Sequence, residues 1–162
     1  MRTKAAVPPG ARLSRRNSSR RRGSLSRCRS AALDEDDREA LAALAGPDWW
    51  RDPASIAAIR EPFLRAAAWY YLRGRNSRGL PVDAVARFHL GNGARLERLD
   101  WLGDTSERAL QQSYGLMVNY LYDLDYIEQN HEAYAQQHAI VAASAISRLV
   151  RAPAREVVPI SG

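Results

Sequence analysis

Apolar residues recur at helical spacing in the first half of the chain beyond residue 33, and at alternating spacing in parts of the second half. The stretch DEDDREALAALAGP, from Asp34, puts acids in a first helical turn, Leu41 and Leu44 on one face, and a Gly46-Pro47 stop at its end. Trp49 and Trp50 begin a connector that closes at Asp52-Pro53. Residues 54–60 predict a short helix, which Pro62 resets, because proline is tolerated at a first helical position and breaks a bond inside a helix. A second helix then runs from Pro62 to Leu72, with Phe63, Ala67 and Tyr70 or Tyr71 on one face, and Arg73 to Gly79 is a polar, basic loop. Pro81 to Leu90 has two readings. Val82, Val85, Phe88 and His89 recur at helical spacing, with Gly91 as the cap. Alternatively, Asn92-Gly93 is a hairpin turn between strands. Poor alternation before Gly91 favours the helix. Arg95 to Leu102 predicts a strand, and Asp104 with Glu107 a capping box that opens a helix to Tyr114, ended by Gly115. Val118, Tyr120, Tyr122 and Leu124 alternate with Asn119 and Asp123 in a strand over 117–124, which sets Tyr120 and Tyr122 on one face. A polar helix or loop at 126–136 and a small-residue helix at 140–150 follow.

The expected class is therefore α+β, with helices at 34–72, a short mixed sheet at 94–124 and a C-terminal helix. The first thirty residues stand apart. They hold Lys4 and nine arginines and no acid, whereas the remaining 14 basic groups are outnumbered by all 18 acids. The formal charge of +6 is thus +10 on residues 1–30 and −4 on the rest. Arginine, serine, glycine and proline in that segment cannot bury enough surface to offset ordering entropy, so residues 1–30 are expected to be a disordered tail. A basic nucleic-acid arm and an organelle transit peptide are the other readings. The first lacks interleaved aromatics and the second lacks an amphipathic stripe. No apolar core of a secretory signal follows the charges, no run approaches a membrane span, and a cytoplasmic location is expected. The single cysteine, Cys28, excludes an internal disulfide and a multi-thiolate metal site within one chain.

Few residues offer chemistry. His89 between Phe88 and Leu90 is partly desolvated, with a pKa that neighbours can place near neutrality, as a general acid or base needs. By pattern alone it is more simply a core histidine satisfied by a backbone carbonyl. His131 and His138 lie about 10 Å apart along a helix axis, too far to grip one ion, and HEAYAQQH is not HExxH, so no metal site is expected. Gly91-Asn92-Gly93 reads as a turn rather than a phosphate loop, and Arg73, Arg75 and Arg78 as a solvated loop. Tyr120 or Tyr122 could line a pocket with its hydroxyl.

Longer patterns carry more. PVDAVARFHLGNGA, then LERLDWLGDTS, then SYGLMVNYLYDL and IEQNHEAY, preceded by WWRDPA and REPFLRAAAWYYL, resemble the C-terminal part of malonyl-CoA decarboxylases over roughly residues 34–150. The resemblance implies a domain of residues 31–155 that is part of an acetyltransferase-like (GNAT-like) fold, acting on malonyl-CoA without metal or organic cofactor. It implies a homo-oligomer in the full-length family, no membrane and no nucleic-acid partner. It makes His89, in the FHL.NG motif, the proton donor, and Tyr122, late in the NY.Y run, a substrate-binding neighbour. The family's SPIPGF-like serine segment has no match among Ser14, Ser18, Ser19, Ser24, Ser26 and Ser30. The expectation is a C-terminal fragment, with residues 1–30 translated from a shifted frame and an unpaired sheet edge exposed. A basic-armed nucleic-acid binder and an inactive interaction remnant are the competing classes.

Overall fold

In the computed structural model, which describes residues 3–6, 33–46 and 48–150, the elements in chain order are β1 (Thr3–Ala6), α1 (Glu35–Ala42), α2 (Pro53–Arg73), α3 (Ala84–Gly91), β2 (Arg95–Asp100), α4 (Glu107–Ser113), β3 (Met117–Leu121), α5 (Ile127–Gln137) and α6 (Ser144–Leu149). The α+β class stands. The sheet has the order β1-β3-β2 and both pairings are antiparallel, so it is not mixed. β1 lies inside the segment expected to be disordered, and the rest of that expectation falls outside the described residues.

α2 corrects the sequence reading most. It is one helix through Pro62 rather than two short ones. Asp52 caps it by accepting from the amides of Ala54 and Ser55, and Pro53 sits in the first turn, where its missing N–H costs nothing. Pro62 removes one internal bond, yet the helix continues, with buried residues on both sides of it. Ile59, Pro62, Leu64, Ala67, Ala68 and Tyr71 are all buried along it. α1 is tied to this helix by Arg65, whose guanidinium donates to both carboxylate oxygens of the buried Asp37.

β2 owes its burial pattern to a bulge. Leu96 pairs with Tyr120 and Leu99 with Val118, with a register shift between Leu96 and Arg98. In a regular strand, residues three apart face opposite sides. The extra residue lets Leu96 and Leu99 both enter the core. β3 is buried along nearly its whole length, including Asn119, whose amide donates to Asp100 at the end of β2. The core unites Leu64, Ala68 and Tyr71 of α2 with Ala86 and Leu90 of α3, the sheet residues Leu96, Val118 and Tyr120, and Ile146 of α6.

Other boundaries shift by a residue or more. Gly91 ends α3 inside the helix, and Asn92 is the cap, with Gly93 at φ 81°. Ser106, not Asp104, caps α4 by accepting from the Ala109 amide, while Asp104 accepts from the Ser106 amide in the turn before it. The final helix starts at Ser144. Val141 and Ala143 instead exchange bonds with both sides of the Leu96 peptide, covering the outer edge of β2. β1 pairs with β3 on the side away from β2, so β1 forms the other outer strand of the sheet.

Candidate functional site

α3 is built to hold one histidine against the sheet. The buried Asp83 caps it, accepting from the Ala86 amide at 2.7 Å. Ala86 and Leu90 turn into the core, and His89 lies beside Leu90 on that side, only 5% exposed. Phe88, one position earlier, is 65% exposed, so the helix divides sharply between a core face and a bare one.

The His89 imidazole meets two tyrosines from β3 and its continuation. Its Nδ1 is hydrogen-bonded to the Tyr122 hydroxyl at 2.9 Å. Its ring stacks on Tyr120, with centroids 4.5 Å apart and an interplanar angle of 18°. The strand period delivers both residues to one side, as the alternation in the sequence implied. Among the described residues, His89 Nε2 has no hydrogen-bond partner. The imidazole is therefore satisfied by a side chain, not by the backbone carbonyl of the simpler sequence reading. Burial pushes its pKa below the ordinary 6.5. Burial pushes the Tyr122 hydroxyl up, and a hydrogen bond from the Asn92 side chain works against that rise.

Asn92 was read from sequence as a turn residue alone. It lies three positions after His89, at the helix end, and so emerges on the same side. Its backbone N–H closes α3 by donating to the carbonyls of Phe88 and His89. The turn is pinned from behind by α5. Asn130 donates to the Gly93 carbonyl at 3.1 Å, and His131 Nδ1 donates to the Gly91 carbonyl at 2.6 Å. A Cβ on Gly93 would stand 2.3 Å from the Ile127 carbonyl oxygen, so this approach and its positive φ both demand glycine. His131 thus braces the site, and His138 takes a left-handed conformation at the end of α5.

A second aromatic group lies elsewhere. Trp49, Phe63, Trp101 and Tyr114 pack with ring centroids 5.0–6.3 Å apart. Beside it opens a cleft of about 520 Å³, lined by Trp49, Trp50, Arg51, Glu107 and Tyr114 among others. None of the His89 group lines that cleft. None of the residues that line it is a histidine.

A family model for the malonyl-CoA decarboxylase C-terminal domain matches residues 9–159. The chain belongs to the malonyl-CoA decarboxylase family. The match begins inside the arginine-rich segment that composition sets apart. Solved structures agree: a malonyl-CoA decarboxylase from Rhodopseudomonas palustris superposes with a TM-score of 0.78 at 44% identity, over 93% of this chain and 33% of that one. One from Agrobacterium vitis gives 0.70 at 49% identity, over 74% of this chain and 30% of that one. The mitochondrial malonyl-CoA decarboxylase of Anser anser anser is 39% identical over 107 residues, which is 66% of this chain and 21% of the relative. The chain therefore spans about a fifth of the curated relatives and a third of the solved ones. Among the described residues, no helix is long and apolar enough to cross a membrane.

Proposed function

We propose that this chain carries the proton-delivering part of a malonyl-CoA decarboxylase site, with His89 as the proton donor and Tyr122 as its partner at the substrate. The observation that carries the reading is the partly buried His89–Tyr122 hydrogen bond, formed between the FHLGNG and NYLY stretches. The reaction needs what this pair offers. When the bond from C2 of the malonyl thioester to its carboxylate breaks, carbon dioxide leaves and the electron pair enters the thioester as an enolate. Preorganised donors stabilise that oxygen, and C2 must take up one proton to give acetyl-CoA. With Nδ1 fixed on Tyr122, Nε2 is the atom that can deliver it. Burial makes the imidazolium a stronger acid than a solvated one. The thioester itself accepts the electrons, so the bond-breaking step asks for no cofactor.

The 162 residues contain no SPIPGF-like serine segment. We therefore assign the chain to a half-site that turns over only beside the upstream part of a decarboxylase, within an acetyltransferase-like domain. The test is carbon dioxide release from malonyl-CoA by two proteins. One is the chain as given. The other is a chimera in which it replaces the matching third of the Rhodopseudomonas palustris relative. An active chimera with equimolar acetyl-CoA, beside a silent free chain, is expected. A folded chimera without turnover would overturn the reading.

A further inference from the structure

Tyr120 contacts the face of the His89 ring and has no part in the proposed proton delivery. It is 1% exposed and sits in the middle of the core cluster, between the sheet and α2. Its ring lies nearly parallel to the imidazole, at a centroid distance typical of an offset stack. Its hydroxyl, by contrast, has no hydrogen-bond partner among the described residues. Burial first, and then the nearby Asp83 and Tyr70, hold that hydroxyl well above its ordinary pKa, so it stays neutral. A group that is neutral and unbonded at its polar end acts on its neighbour through its ring face.

We infer that Tyr120 is a positioning residue for His89, and that its ring, rather than its hydroxyl, fixes the imidazole plane and keeps water from the face it covers. This rests on the proposed role of His89 for its functional meaning. Two constraints then converge on one imidazole. Tyr120 sets the plane, and Tyr122 sets the rotation through Nδ1. A side chain held this way presents Nε2 in one direction before any substrate arrives. The other groups that face this cluster are Phe88 and Asp83 from α3, Tyr70 and Tyr71 from α2 behind Tyr120, and His131 of α5 on the Gly91 carbonyl. None of them is a charged partner of the imidazole, whose shift has burial as its one cause. Removing the ring is therefore a test of burial and orientation rather than of charge.

The experiment follows the three imidazoles of the full chain by long-range proton–nitrogen NMR across pH, with His89 assigned by the signals lost in His89→Gln. In Tyr120→Phe the His89 midpoint and tautomer should stay as in the parent. In Tyr120→Met, which keeps apolar bulk without a ring, the midpoint should rise toward 6.5 and the tautomer signals should average. In the chimera, Tyr120→Met should lower kcat about tenfold with KM little changed, and Tyr120→Phe should retain parental kcat. An unmoved His89 titration in a folded Tyr120→Met variant overturns the inference, and so does a shift in Tyr120→Phe as large as that in Tyr120→Met. Should the Met variant fail to fold, Tyr120→Phe decides: an unchanged titration supports the ring and a moved one overturns it. The titration reads Tyr120 without any turnover. Failure of the decarboxylase reading would show separately, as a chimera indifferent to His89→Gln.

Discussion

Two clusters of aromatic rings sit in this small chain, and only one of them is organised around a titratable group. Around Trp101 the rings of Trp49, Phe63 and Tyr114 meet one another, and among the described residues the buried Trp101 indole nitrogen has no hydrogen-bond partner. Around His89 the rings of Tyr120 and Tyr122 meet an imidazole, and the Tyr122 hydroxyl is hydrogen-bonded to Nδ1. Both clusters exclude water. The difference is that one packs ring against ring, whereas the other surrounds an imidazole, the group proposed as the proton donor. A cleft opens beside the first cluster, whereas the proposed site is marked by an imidazole hydrogen-bonded to a tyrosine.

The contrast can be broken by removing each cluster's centre. Trp101→Ala should cost about 3 kcal/mol of stability, read by denaturant unfolding, and leave the His89 titration unmoved. A shifted His89 titration in that variant would mean that the clusters are one unit. Tyr122→Phe should cost about 1 kcal/mol, because Nδ1 loses its partner in a buried setting, and should mix the His89 tautomers. Proton linkage separates the regions next. His89 holds its proton less tightly in the folded chain than at the ordinary 6.5, so the unfolded chain binds more protons between the two values. Stability from this group is full above 6.5 and falls as pH drops through 6.5 toward the folded value. That slope should be visible in unfolding midpoints and absent in His89→Gln. The smallest effect belongs to Asn92→Ala. Tyr122 should then titrate still higher, since the bond opposing its burial is gone, as ultraviolet difference spectra would record.

Much of this arrangement was legible in the sequence. The helix over FHL followed from its spacing, and the shared face of Tyr120 and Tyr122 followed from strand alternation. Motif resemblance singled out His89 and Tyr122, and the structure brings them together at 2.9 Å. What escaped was tertiary. Pro62 signals a break by local rules, yet α2 runs through it, with Ile59 buried before it and Leu64, Ala67, Ala68 and Tyr71 after it. The Leu96–Leu99 spacing makes sense only with the bulge, which depends on pairing with β3. Asn92 has the residue type of a turn and lies in one. Its reach to Tyr122 could be suspected only from its three-residue offset from His89. The stack of Tyr120 on His89 joins residues 31 apart in sequence, and no periodicity within either element announces it.

The most direct test of the central claim is the turnover of malonyl-CoA by the chimera with and without His89→Gln, with circular dichroism confirming that both are folded. Loss of the proton donor predicts a fall in kcat of roughly 10²-fold or more, with KM little changed. A folded His89→Gln chimera that releases carbon dioxide within about threefold of the parent rate would contradict the account.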